Sequence, residues 1–172
     1  MLLGPRRRSL EALAITNSTL NAAKAGNDFH EVRQGQVWRL ITPIFIHFGL
    51  LHILFNLWWL KDLGSMVEAC QSKRQLLLLV VVIGIASNLG QYFWAGPGFG
   101  GMSGVVYGLL GYIWIRGKLD PGSGLFLNQV SLIIMLAWFF ACLVGVIPHV
   151  ANGTHVVGLV GGVLKKPGPG II

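Results

Sequence analysis

Five apolar runs follow one another at 44–63, 76–94, 103–115, 130–147 and 152–164, and this succession constrains the fold more than any other feature of the 172 residues. About 17–25 mainly apolar residues are enough to cross a bilayer. The third and fifth runs are too short to cross alone, so loops buried inside the protein are expected to extend them. The overall make-up agrees: 53% of residues are hydrophobic and 11% charged, where a soluble domain carries roughly a quarter charged residues. The expected fold is therefore all-α, a polytopic membrane helical bundle.

The net charge of +7 would admit nucleic acid as a partner, but its distribution argues otherwise. Lys73 and Arg74 lie between the first two runs, Arg116 and Lys118 between the third and fourth, and Lys165 and Lys166 after the fifth; the alternate connections, around 95–97 and 148–149, hold neither Lys nor Arg. That is the positive-inside pattern, with the basic connections cytoplasmic. No nucleic-acid partner is expected. Cys70 and Cys142 form no metal or disulfide pattern. Residues 1–36 are polar and mixed, without a spanning run or a signal-peptide pattern, and are expected to be poorly ordered; 37–164 reads as the membrane core and 165–172 as a Gly/Pro tail.

Polar side chains inside apolar runs point to function, because burying them in lipid is costly. The first run carries His47, His52 and Asn56, and the spacing of the last two puts them one turn apart on a helix. Ser103 stands in GFGGMSGVVY, where glycines permit a tight turn and the following apolar residues restart a helix. At such a helix start the free amide N–H groups are suited to holding an oxyanion. A serine there is also a common helix cap, and GMSG by itself does not decide between the two roles. The fifth run supplies a candidate base, His155, followed by Gly158 and Gly162; Gly104 and Gly108 repeat that spacing in the third run. Small residues at this interval let membrane helices approach closely, which would bring His155 to Ser103. No carboxylate is placed to orient His155, so a serine–histidine dyad is a simpler expectation than a triad. His47, His52 and His155 lack zinc-site spacing, and no metal is expected.

The segments VWRLITPIFIHFGLLHILFN, GGMSGVVYGLLGY and ANGTHVVGL, in this order over 37–164, closely resemble the bacterial rhomboid intramembrane serine proteases. The resemblance implies that Ser103 is the nucleophile and His155 its general base. It implies that His52, Asn56 and the Ser103 amide stabilise the oxyanion, and that Tyr107 supports the histidine. By the same resemblance Gly101 opens the serine motif and Gly158 admits the last helix. Trp38 and Arg39 match a Trp-Arg pair of the first outer loop, and Glu68 a structural carboxylate at the cytoplasmic end of a helix. His47 is grouped with the supporting residues.

The family core has six helices, and the first, expected before residue 31, has no matching run here; the last run stops at Leu164 before KKPGPGII. About five of the six are therefore expected. The implied activity is cleavage of single-pass transmembrane substrates in the inner membrane, with the lipid bilayer as surroundings and no cofactor. Two further classes remain open: an inactive rhomboid-like protein that binds transmembrane helices, and a transporter or channel using the same polar residues.

Overall fold

The computed structural model describes residues 10–16, 29–148 and 150–165. Arg6, Arg7 and Arg8, the stretch 17–28, His149 and the tail after Lys165 lie outside the described residues. Five long helices carry the structure: α1 Leu50–Cys70, α2 Lys73–Ala95, α3 Ser103–Leu119, α4 Gln129–Leu143 and α5 Asn152–Leu164. There is no strand among the described residues.

Two boundaries differ from the apolar runs. The first run begins at 44, but Thr42–Phe45 is a 3-10 turn with Pro43 at its start, and α1 begins only after Gly49. At its other end α1 continues past Leu63 through Ser65 and Glu68 to Cys70. Helix continuation depends on backbone hydrogen bonding, and polar side chains that reach the bilayer edge do not interrupt it. The fourth run extends to 147, whereas α4 ends at Leu143. Gly145 follows at φ 81°, a left-handed conformation that stops a helix. Among the described residues only Lys73–Ala95 is long and apolar enough to cross a bilayer by itself.

The turn between α1 and α2 is tight because Ser72 Oγ accepts the Gln75 N–H at 3.1 Å, a serine cap worth about 1 kcal/mol. α4 opens in the same way, with Asn128 Oδ1 accepting from Val130 N at 2.8 Å. α3 is the centre of the bundle. Every residue from Gly104 through Ile113 is buried, as expected of a helix apolar on all sides. α5 lies along it, with α2 and α1 on its other flanks. α1 and α4 turn large apolar side chains outward, among them Leu54, Trp58, Ile133 and Phe140, the arrangement of a protein whose solvent is lipid.

The segment before α1 is fastened to the bundle by side chains that serve backbone carbonyls. Arg39 is buried, its Nη1 donating to Glu11 O at 2.6 Å and to Ala14 O at 2.7 Å. Thr42 Oγ1 donates to Leu13 O at 2.7 Å, and Asn88 Nδ2 of α2 donates to Leu40 O at 2.8 Å. Ile15 is fully buried and clusters with Tyr92 and Phe99.

Candidate active site

The loop before α3 is shaped by glycines. Gly101 has φ 124°, which side-chain-bearing residues rarely adopt. Its N–H donates to Pro43 O at 3.0 Å, tying the loop to the turn before α1. A Cβ on Gly101 would stand 2.8 Å from Nε2 of His52, so the missing side chain is what admits the imidazole.

α3 then begins at Ser103, with Met102 at the N-cap position and no side-chain cap. The hydroxyl faces elsewhere: Ser103 Oγ lies 2.9 Å from His155 Nε2. This distance is a normal hydrogen bond, and it resolves the choice between cap and side-chain partner in favour of the partner. The contact exists because α3 and α5 pack through their glycines. A Cβ on Gly158 would overlap the Gly104 carbonyl oxygen, and one on Gly162 would overlap that of Gly108. Both pairs carry the same offset, so α3 and α5 run parallel and their amino-terminal ends meet.

The His155 ring packs on Tyr107, centroids 4.6 Å apart, and Tyr107 OH donates to Met135 O of α4 at 3.2 Å. His52 and Asn56 reach the same space from α1. Asn56 Nδ2 donates to His52 O at 2.8 Å, which uses one amide hydrogen and leaves the second for the cavity. His47 meets His52 edge to face at 4.9 Å. Together with α4, these residues surround a cavity of about 780 Å³ lined by His52, Asn56, Ser103, Tyr107 and His155 and by apolar side chains such as Phe55 and Trp138.

The depth of this cavity follows from the helix rise. From Ser103 to the basic end of α3 at Arg116 is about 20 Å at 1.5 Å per residue, against a hydrocarbon thickness of about 30 Å. For Arg116 set at one bilayer boundary, the hydroxyl lies about 10 Å short of the other. The short third run is accounted for: α3 starts at the cavity floor.

Eight of the residues singled out in the sequence thus converge: Ser103, His155, His52, Asn56, Gly101, Tyr107, Gly158 and His47. Three do not. Trp38 is 52% exposed, and Arg39 serves the carbonyls named above. Glu68 is at the far end of α1, about 24 Å along the helix from His52, where it pairs with Lys73 at 3.7 Å. Ser87, Asn88 and Gln91 of α2 belong to none of the motifs singled out in the sequence; Gln91 lines the cavity, whereas Ser87 donates to Gly84 O and Asn88 to Leu40 O. All three are buried. Their signal is present as polar residues inside a spanning run.

A family model described as the Rhomboid domain matches residues 34–166. The rhomboid protease GlpG of Salmonella paratyphi A is 43% identical over 135 residues, covering 78% of this chain and 49% of that protein. The rhomboid protease GlpG of Salmonella choleraesuis is 44% identical over 135 residues with the same coverage. The chain spans about half the length of the curated relatives it matches.

Proposed function

The chain belongs to the rhomboid family, and from that premise we propose that it is an intramembrane serine endopeptidase working through a Ser103–His155 dyad. One observation carries the reading: the 2.9 Å contact between Ser103 Oγ and His155 Nε2 in a cavity that His52 and Asn56 also line.

A serine hydroxyl attacks a carbonyl only when a base removes its proton, and neutral imidazole at hydrogen-bond distance is suited to that task. His155 Nε2 takes the proton as Ser103 Oγ bonds to the carbonyl carbon. The oxygen then becomes an oxyanion. Fixed donors around it are the Ser103 N–H at the start of α3, the second amide hydrogen of Asn56 and the imidazole of His52. Such preorganised donors contribute most where water is scarce. His155 returns the proton to the leaving amine. A water entering through the cavity then hydrolyses the acyl-enzyme, with His155 again acting as base. Tyr107 holds the imidazole face, and Gly158 keeps α5 close enough for the dyad to form. No metal or organic cofactor takes part.

The substrates are transmembrane segments of single-pass membrane proteins. Residues near the cut that favour extended backbone are preferred, because a helical peptide cannot present its carbonyl to the serine without unwinding. The protein is a multi-pass component of the inner membrane, with catalysis in 37–164 and the cavity on the side opposite the basic connections.

The test is labelling of the membrane-embedded protein by a fluorophosphonate probe. The wild type is expected to label, and Ser103→Ala and His155→Ala are expected to lose labelling while remaining inserted. Undiminished labelling in Ser103→Ala would overturn the assignment of the nucleophile.

A further inference from the structure

α5, the helix that carries His155, begins without a cap of its own. Its N-cap position is Ala151, and no side-chain cap is present within the segment. The first N–H groups of a helix have no intrahelical partner, and serine, threonine, aspartate or asparagine at the cap ordinarily supplies one. Here a side-chain acceptor comes from a different helix. The Thr154 N–H, which donates to Ala151 O at 3.0 Å within the first turn, is shared with Gln91 Oε1 of α2 at 3.2 Å. That amide is three residues past the cap position, one of those a capping side chain normally serves.

Two features show that the approach is built in. Gln91 is buried, at 6% exposure. Gly153 leaves room for it: a Cβ there would stand 2.7 Å from Gln91 Oε1. The next residue after Thr154 is His155. Apart from Ser103 Oγ at Nε2, the histidine ring has no polar orienting group among the described residues, because its Nδ1 is buried and has no hydrogen-bond partner there. Its position is therefore set by the first turn of α5 and by the face of Tyr107.

We propose that Gln91 is a positioning residue for the reaction: by capping α5 from α2, it holds the first turn of that helix and with it the imidazole of His155 against Ser103. The inference rests on the hydrolase reading above for its catalytic consequence, but the cap itself does not depend on that reading.

The experiment uses the full chain in bilayers, with two readouts: hydrogen exchange of the segment 150–160, and the second-order rate of labelling by a fluorophosphonate probe. Gln91→Met keeps the side-chain length and removes the amide acceptor. Labelling is expected to slow by roughly fivefold, the factor that a lost helix cap represents, with faster exchange at Thr154 and His155. Ala151→Ser gives α5 a cap of its own. Added to Gln91→Met it is expected to restore most of both losses, and in the wild type to change labelling less than twofold.

Equal effects of Ala151→Ser in the two backgrounds, or wild-type exchange and labelling in Gln91→Met, would overturn the proposal. If Gln91→Met fails to insert, Gly153→Ala displaces the same amide by contact, and the same rescue decides the outcome. A wild type that does not label at all overturns the hydrolase reading, and the exchange data then decide the cap independently.

Discussion

Gly158→Ala adds one methyl group where the backbones of α3 and α5 touch. The new Cβ would lie 2.9 Å from the Gly104 carbonyl carbon and 3.1 Å from Gly104 Cα, besides overlapping the carbonyl oxygen. Carbon atoms rest at about 3.5–4.0 Å, and two helix backbones cannot yield by rotamer change. The helices must separate by about 1 Å at that level. Ser103 precedes Gly104 directly, and His155 lies three residues before Gly158, so most of the displacement reaches the dyad. Its 2.9 Å contact would open to about 4 Å, beyond hydrogen-bond reach.

Misplacement of this size costs about 100-fold in rate, and overpacking of a close contact costs about 1–3 kcal/mol in stability. The assay is the rate of fluorophosphonate labelling, with the denaturation midpoint measured on the same preparations. Gly161→Ala is the control, since a Cβ there meets nothing within 4 Å. It is expected to preserve both quantities. A Gly158→Ala protein labelling within threefold of wild type, or a Gly161→Ala protein equally impaired, would refute the close-packing argument.

Asn56→Ala is expected to lower the labelling rate by about 10²–10³-fold, the usual loss of an oxyanion donor, with the bundle still inserted; a loss below threefold would remove Asn56 from that role. Asn88→Leu deletes the 2.8 Å bond to Leu40 O and strands a buried carbonyl, which is expected to destabilise the protein by about 1–3 kcal/mol in a detergent-denaturation titration while labelling per folded molecule is retained. Tyr107→Phe keeps the ring on His155 and gives up the bond to Met135 O, so labelling within about threefold is expected, as for loss of one neutral hydrogen bond of about 0.5–1.5 kcal/mol; Tyr107→Ala should fall well below it.

Much of the site is legible in the order and spacing of the residues. His52 and Asn56, four residues apart in an apolar run, announce a shared inward face, and Ser103 among glycines announces a helix start close to another backbone. The matched glycine spacings of 104/108 and 158/162 anticipate the contact that brings His155 to Ser103. Helix ends are less legible. Hydropathy marks where side chains become polar, yet α1 passes through Lys61 and Asp62 without interruption, because the backbone ladder is indifferent to what points outward. Gln91 escapes notice for a different reason: its value lies in an amide proton 63 residues away, and no local spacing encodes that separation.

The chain's apolar runs by themselves determined a helical membrane bundle, since burying backbone in hydrocarbon leaves few alternatives. Ser103 and His155, each beside a glycine ridge, stood out in the sequence as candidates for chemistry. Only the tertiary structure decided that α3 and α5 run parallel with their amino-terminal ends together, that Ser103 and His155 share one cavity with His52 and Asn56, and that a glutamine from α2 completes the histidine helix. Those are distances between segments far apart in the chain, set by how whole helices pack and by which backbone groups remain to be satisfied after they have packed.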